Sequence, residues 1–79
     1  MKLQLQYFAL LREQRGLPEE TLETDAGTPD ALYADLRAKH GFTLPGDRVR
    51  AAVNGEFVPG AATLKDGDTV VFIPPVAGG

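Results

Sequence analysis

The last eleven residues read Thr69-Val70-Val71-Phe72-Ile73-Pro74-Pro75-Val76-Ala77-Gly78-Gly79, an apolar run followed by two prolines and a closing glycine pair. The β-branched and aromatic residues of the run favour a strand. Proline has no amide hydrogen and a fixed φ, so the strand should end at Ile73 and Pro74-Pro75 should be stiff and extended. Glycines have no Cβ, so Gly78-Gly79 should be slim and flexible. We therefore predict a domain over residues 1–73 and an extended tail over residues 74–79, with a free carboxylate on Gly79.

The start of the chain predicts a second strand of the same sheet. Residues 2–8 alternate in polarity, and Leu3, Leu5 and Tyr7 fall on one face. Because the first and last strands are the most apolar, we place them side by side in the middle of the sheet. Residues 21–24 predict a weak, polar strand near an edge.

Local signals define two helices and a hairpin. Residues 9–15 suit a short helix that Gly16 ends. Thr28 as N-cap, Pro29 at the first helical position and Gly41 as the stop predict a main helix over 29–40. Its inward stripe consists of Leu32, Tyr33, Leu36 and His40. Asn54-Gly55 predicts a type I′ hairpin between strands at 49–53 and 56–58. This order predicts an α+β, ubiquitin-like β-grasp fold: a mixed sheet of four to five strands with one main helix on one face.

Composition limits the function. The chain has 79 residues, a formal net charge of −3 and a pI of about 4.9, so nucleic acid is not the expected partner. The basic residues are scattered, so we expect no membrane-binding face. The sequence has no apolar run of transmembrane length and no signal-peptide pattern, which makes the cytoplasm the expected compartment.

The usual catalytic side chains are missing. The sequence has no cysteine, no serine and a single histidine, His40, so thiol nucleophiles, serine triads and cysteine-based metal sites are excluded. Asp66-Gly67-Asp68 lacks the further ligands of a calcium loop and predicts a turn. The carboxylate of Gly79 remains as the candidate reactive group. Joined to AMP, a carboxylate becomes an activated acyl group that a sulfur donor can convert to a thiocarboxylate.

Three apolar residues predict a partner-binding patch. Phe8 falls on the polar face of the first strand, and Phe57 lies in a strand with little else apolar besides Val58. If Phe72 points into the core, its neighbour Ile73 can share the exposed sheet face with Phe8 and Phe57. Exposed, clustered apolar side chains usually mark a binding surface. The alternative is that the sheet curls, or that a loop covers them.

Nearly the whole chain resembles the family of molybdopterin synthase small subunits, the ubiquitin-like sulfur carriers of molybdenum cofactor biosynthesis. The Pro-Pro-Val-x-Gly-Gly ending is its most specific part. The matching segments are Tyr7-Phe8-Ala9 with Arg12-Glu13, the helix with Leu32 and Leu36, Ala51-Ala52-Val53-Asn54, Leu64-Lys65-Asp66-Gly67-Asp68 and Phe72-Ile73-Pro74-Pro75-Val76-Ala77-Gly78-Gly79.

The resemblance implies a sulfur cycle. An adenylyltransferase of the ubiquitin-activating type would activate Gly79 with ATP, and a sulfur donor protein carrying a persulfide would supply the sulfur. Presented by residues 74–78, the thiocarboxylate would then deliver sulfur to cyclic pyranopterin monophosphate in the large subunit and so build the molybdopterin dithiolene. The chain would be a non-catalytic sulfur-carrier subunit of a heterotetramer, without a tightly bound cofactor.

Two other functions use the same activated tail. One is a related sulfur carrier for tRNA or thiamine thiolation, although the Pro-Pro-Val ending speaks against thiamine. The other is a ubiquitin-like modifier that becomes joined to lysines of target proteins. A β-grasp adaptor with an accidental Gly-Gly end is a fourth alternative.

Overall fold

A computed structural model describes residues 1–75 as a five-stranded mixed sheet with two α-helices. The elements are β1 (Lys2–Tyr7), α1 (Ala9–Arg15), β2 (Glu19–Glu23), α2 (Pro29–His40), a 3₁₀ helix (Gly46–Arg48), β3 (Arg50–Val53), β4 (Glu56–Val58) and β5 (Thr69–Ile73). The strand order is β2-β1-β5-β3-β4, in which β1 and β5 pair in parallel and the other neighbours pair antiparallel. The first and last strands are therefore adjacent at the centre, as the sequence predicted.

The ends of α2 are fixed by local capping. The Thr28 hydroxyl accepts a hydrogen bond from the Ala31 amide at 3.2 Å, which satisfies one free donor of the first turn. At the other end Gly41 has a φ of 71°, and its amide donates to the Arg37 carbonyl at 2.8 Å. The predicted helix 29–40 is confirmed at both ends.

The core lies between α2 and the sheet. Alternate residues of the central strands point into it, and Phe72 of β5 is among the most buried. The Tyr33 ring of α2 lies 5.3 Å from the Phe72 ring and 5.8 Å from that of Phe42, centroid to centroid. Phe42, from the loop after α2, is buried, although no periodic pattern marked it. The core side chains are Leu3, Leu5, Tyr7, Leu11, Ala26, Leu32, Tyr33, Leu36, Phe42, Ala51, Leu64, Val70 and Phe72.

The end of β1 corrects the predicted strand. The strand stops at Tyr7, and Phe8 is the N-cap residue of α1 with extended backbone. The chain reverses at Ala9, whose φ is 50°, and the Phe8 carbonyl accepts the Leu11 amide at 3.1 Å. Because the side chain of Phe8 no longer follows the strand alternation, its direction is set by the turn.

Two other strands differ slightly from their predicted bounds. β2 begins at Glu19 and ends at Glu23, and it lies at a sheet edge as predicted. β3 begins at Arg50, since the Val49 amide closes the preceding 3₁₀ helix by donating to the Gly46 carbonyl at 3.3 Å. Among residues 1–75, neither helix is long and apolar enough to cross a membrane.

A polar network fixes the end of the sheet that lies away from the tail. Asn54 and Gly55 have φ values of 52° and 89°, the two positive angles that a type I′ hairpin requires. The Asn54 side chain accepts the Thr69 amide at 3.0 Å and donates to Asp68 at 2.9 Å. The pKa of Asp68 is lowered mainly by the hydrogen bond from the Lys65 amide and, to a smaller extent, by the one from the Asn54 side chain. The start of β5 is thereby anchored, and its other end leads towards the tail.

Candidate functional site

The base of the tail is an apolar groove. It has a volume of about 390 Å³, and we call it the tail-base groove. Phe8 and Leu10, which are 48% and 38% exposed, contribute to it from the β1–α1 turn. Pro74 is half-buried and Pro75 is exposed. The residues that line the tail-base groove are Phe8, Ala9, Leu10, Leu44, Ile73, Pro74 and Pro75.

Two hydrogen bonds connect the walls of this groove. The Gln14 Nε2 donates to Thr43 Oγ1 at 2.9 Å, and the Thr43 amide donates to Gln14 Oε1 at 3.2 Å. Gln14 belongs to α1, which carries Leu10, and Thr43 immediately precedes Leu44. The side chain of Gln14 therefore holds α1, with Leu10, against the segment that contains Thr43 and Leu44. The sequence pattern had marked neither leucine for this position.

The end of the chain that the sequence predicts to be reactive lies beyond the residues that the structure describes. The predicted site residues Val76, Ala77, Gly78 and Gly79 are all outside the described range. The described part ends at Pro75, at the rim of the tail-base groove. The structure therefore places Pro74, Pro75 and the surface around them.

The three residues of the predicted patch are divided between two neighbouring surfaces. Phe8 and Ile73 both line the tail-base groove. Phe57, which is 57% exposed, lies on β4 opposite Ala52 of β3. Arg50 connects the two surfaces, because it is the β3 residue opposite Ile73 and its guanidinium lies over the Phe57 ring.

The face of the sheet that points away from α2 is mostly apolar on its β5-β3-β4 side. Val71 lies opposite Ala52, and Ala52 lies opposite Phe57, so these three form one row across the strands. We call this surface the outer sheet face; its side chains are Thr69, Val71 and Ile73 of β5, Arg50 and Ala52 of β3, and Phe57 of β4.

Arg50 makes a cation–π contact on this face. Its Cζ atom lies 4.1 Å from the centroid of the Phe57 ring, well within the range over which a guanidinium is attracted to an aromatic face. Sequence reasoning missed Arg50 because the contact joins neighbouring strands. Arg50 lies two residues before Ala52 and therefore on the same face of β3, and Ala52 pairs with the exposed Phe57 across the predicted hairpin. This pairing could have indicated the contact between Arg50 and Phe57.

A partly buried ion pair lies at the opposite edge of the sheet. Arg15 of α1 binds Glu20 of β2 through two hydrogen bonds, of 2.7 and 2.8 Å, and the Tyr7 hydroxyl donates to the same carboxylate at 2.7 Å. The hydrogen bonds from Arg15 hold the pKa of Glu20 down at about 2, whereas burial raises the pKa of Tyr7. This cluster ties α1 and β2 to β1, which is a structural role.

His40 lies at the end of α2 with its ring centroid 5.8 Å from that of Phe42. Burial lowers the pKa of His40, and the nearby positive charge of Arg15 lowers it further by a smaller amount. Over residues 1–75, no group of three or more His, Asp or Glu side chains is arranged to hold a metal ion.

Comparison with known proteins identifies the family. A family model described as the ThiS family matches residues 5–79. The chain belongs to the ThiS family. This ThiS-family chain is also similar to curated proteins over nearly its whole length. It is 38% identical over 82 residues to the molybdopterin synthase sulfur carrier subunit of Mycobacterium tuberculosis, covering 100% of the chain and 99% of the relative. The corresponding subunit of Haemophilus influenzae is 32% identical over 80 residues, covering 98% and 99%.

Solved structures confirm the β-grasp fold of this ThiS-family chain. The solution structure of the HVO 2177 protein of Haloferax volcanii matches with a TM-score of 0.82 at 32% identity, covering 100% of this chain and 87% of that one. A ubiquitin from Caldiarchaeum subterraneum matches with a TM-score of 0.64 at 25% identity, covering 100% and 98%. A complex of subunits 1 and 2 of the molybdopterin-converting factor from Helicobacter pylori contains a chain with a TM-score of 0.67 at 25% identity, covering all of both chains.

Proposed function

We propose that this chain is the sulfur carrier subunit of a molybdopterin synthase. The observation that carries the proposal is the match, over nearly the full length of both chains, to proteins named as that subunit. The chain's own features support it. The strand that precedes the tail is central in the sheet, and the base of the tail is an apolar groove.

In this function the carboxylate of Gly79 is the reacting group. One of its oxygens attacks the α-phosphorus of ATP on an activating enzyme, which releases pyrophosphate and leaves an acyl-adenylate. Sulfur from a persulfide donor displaces AMP from the acyl carbon, and a thiol then cleaves the acyl disulfide to give the thiocarboxylate. Gly78 and Gly79 suit both steps, because the absence of Cβ atoms lets the tail enter narrow sites.

The thiocarboxylate then acts in the large subunit of the synthase. Its sulfur attacks cyclic pyranopterin monophosphate, and two successive carriers provide the two sulfur atoms of the dithiolene. In this proposal the catalytic side chains for the pterin chemistry belong to the large subunit. The expected assembly contains two small and two large subunits.

Two surfaces suit the large subunit. The tail-base groove surrounds the residues that lead into the tail, so a partner that receives the tail also meets Phe8 and Leu10. The outer sheet face continues from Ile73 towards Phe57. Exposed aromatic side chains of this kind are common anchors in protein interfaces. The likeness to a chain solved as a complex of subunits 1 and 2 supports a partner of this type.

Intact-mass measurement tests the proposal directly. The chain is produced together with its activating enzyme and the sulfur donor. We expect a mass gain equal to the replacement of one oxygen by sulfur, and its loss when the large subunit and the pterin precursor are added. Formation of a thiocarboxylate that the large subunit and precursor leave untouched would refute the molybdopterin role and favour a related sulfur carrier for tRNA or thiamine thiolation.

A protein modifier is the second candidate, and the likeness to the Caldiarchaeum ubiquitin favours it. This candidate shares the acyl-adenylate but predicts amide bonds between Gly79 and lysine side chains of other proteins. Peptide mass spectrometry after digestion distinguishes the two, because lysine-linked remnants of the tail arise from the modifier alone.

A further inference from the structure

The β5-β3-β4 part of the outer sheet face carries one charge in an otherwise neutral surface. Its strand residues Thr69, Val71 and Ile73, together with Ala52 and Phe57, are uncharged. Arg50 is the charged side chain among these described positions, and it opposes Ile73 in the β3–β5 register. The chain as a whole has a formal net charge of −3, so the positive charge of Arg50 is opposite in sign to the net charge of the protein.

The position of the guanidinium group is set by Phe57. Its Cζ atom lies 4.1 Å above the ring centroid, and the planar group can stack there without using its N–H donors, which lie in its own plane. Within residues 1–75, the Arg50 side chain makes no ion pair and no hydrogen bond to another side chain or to the backbone. Among the described residues these donors have no acceptor, so they are available to a partner that covers the face.

Covering this face has a chemical consequence. A partner that packs against Val71, Ile73 and Phe57 removes water from Arg50 as well. A desolvated guanidinium without a hydrogen-bonding counter-charge is strongly destabilising. A carboxylate matches the in-plane donors of arginine with two parallel bonds and also removes this penalty. A polyanion such as nucleic acid is disfavoured, because the rest of the chain is acidic.

We propose that Arg50, held in place by Phe57, binds a carboxylate side chain of the synthase large subunit and is a specificity-determining residue of that interface. The inference rests on the proposed function, because it names the large subunit as the occupant. It adds that the contacting surface of the partner is acidic and apolar together: a carboxylate opposite Arg50, with apolar side chains opposite Val71 and Ile73.

Titration calorimetry with the purified large subunit, without pterin, tests the proposal. Arg50→Met keeps the length of the side chain and removes its charge. We expect it to weaken binding about ten- to a hundredfold, the range for loss of a charged hydrogen bond. The affinity of the wild type should also fall between about 50 and 300 mM salt, and the variant should respond much less. Lys39→Met, on α2 at the opposite side of the sheet, is the matched control and should bind like the wild type.

The partner carboxylate is then sought by replacing each surface Asp and Glu of the large subunit by its amide. One of these variants should weaken the wild-type carrier but have little further effect on Arg50→Met. Thermal melts of both carrier variants should match the wild type, since Arg50 and Lys39 are exposed.

The outcomes distinguish failure of the Arg50–carboxylate contact from failure of the sulfur-carrier function. If the wild type binds and transfers sulfur, but Arg50→Met binds equally well with the same salt response, the carboxylate proposal is wrong and the sulfur-carrier function stands. A scan in which no amide variant couples to Arg50 also overturns it. A wild type that binds no large subunit refutes both.

Discussion

Replacing Glu20 by Gln should remove a pH-dependent part of the stability of this domain. The Glu20 side chain is 17% exposed and accepts two hydrogen bonds from Arg15 and one from the Tyr7 hydroxyl. These contacts join α1 and the edge strand β2 to β1. Gln keeps the size of the side chain but cannot carry the charge that the bidentate arginine contact requires.

The magnitude follows from the pKa of Glu20, which the hydrogen bonds from Arg15 lower from 4.5 to about 2. A shift of this size corresponds to about 3 kcal/mol. Solvent at the edge of the sheet screens part of it, so we expect about 2 kcal/mol. Because the pKa is lower in the folded state, this contribution is fully present above pH 4.5 and is lost as the pH falls towards 2.

Urea denaturation of the wild type and Glu20→Gln at a series of pH values measures the effect. Above pH 4.5 the wild type should be more stable by about 2 kcal/mol, and the difference should close as the pH approaches 2. Glu23→Gln is the matched control, because that carboxylate lies on the same strand and is 73% exposed. A difference between wild type and Glu20→Gln that stays constant over this pH window would refute the reasoning.

Three further predictions concern the interface, the turn and the tail. Phe8→Arg should weaken binding to the large subunit more than tenfold in a calorimetric titration with little change in melting temperature, because Phe8 is exposed; Phe72→Ala should instead destabilise the domain by about 3–5 kcal/mol in urea denaturation, and a Phe8→Arg protein that melts as early would show that Phe8 belongs to the core. Ala9→Gly should be neutral or stabilise by up to about 1 kcal/mol, since φ is 50° there, whereas Ala34→Gly inside α2 should cost about 1 kcal/mol; equal losses in denaturation would contradict the strained turn. Deletion of Gly79 should leave the melting temperature unchanged and abolish thiocarboxylate formation by intact mass, so sulfur transfer by the truncated chain would disprove the tail mechanism.

The local elements of this fold were predictable because their signals are local. Thr28, Pro29 and Gly41 satisfy the ends of α2 within a few residues, and Asn54-Gly55 supplies the two positive φ angles of its hairpin. The apolar content of the first and last strands also placed them together at the centre of the sheet. Each of these inferences depends on residues that are close in sequence or on overall hydrophobicity.

The errors arose where distant segments meet. Phe8 was assigned to β1 because its chemistry suits a strand, but the turn at Ala9 moves it into the tail-base groove. Phe42 lies in a loop without periodicity, and it becomes buried because Tyr7 and Tyr33 from two other elements enclose it. No short window of sequence contains the contact between Tyr7 and Phe42.

The sequence by itself determined the caps of α2, the hairpin and the central strands, since backbone propensities and periodicity act within short segments. The tail over residues 74–79 stays a prediction. Only the tertiary structure decided which side chains surround the end of β5. The β3–β4 and β3–β5 registers bring Arg50 over Phe57 and beside Ile73, and the packing of α1 brings Leu10 to Leu44. Strand register and helix packing minimise the free energy of the whole core, so they fix which exposed side chains become neighbours.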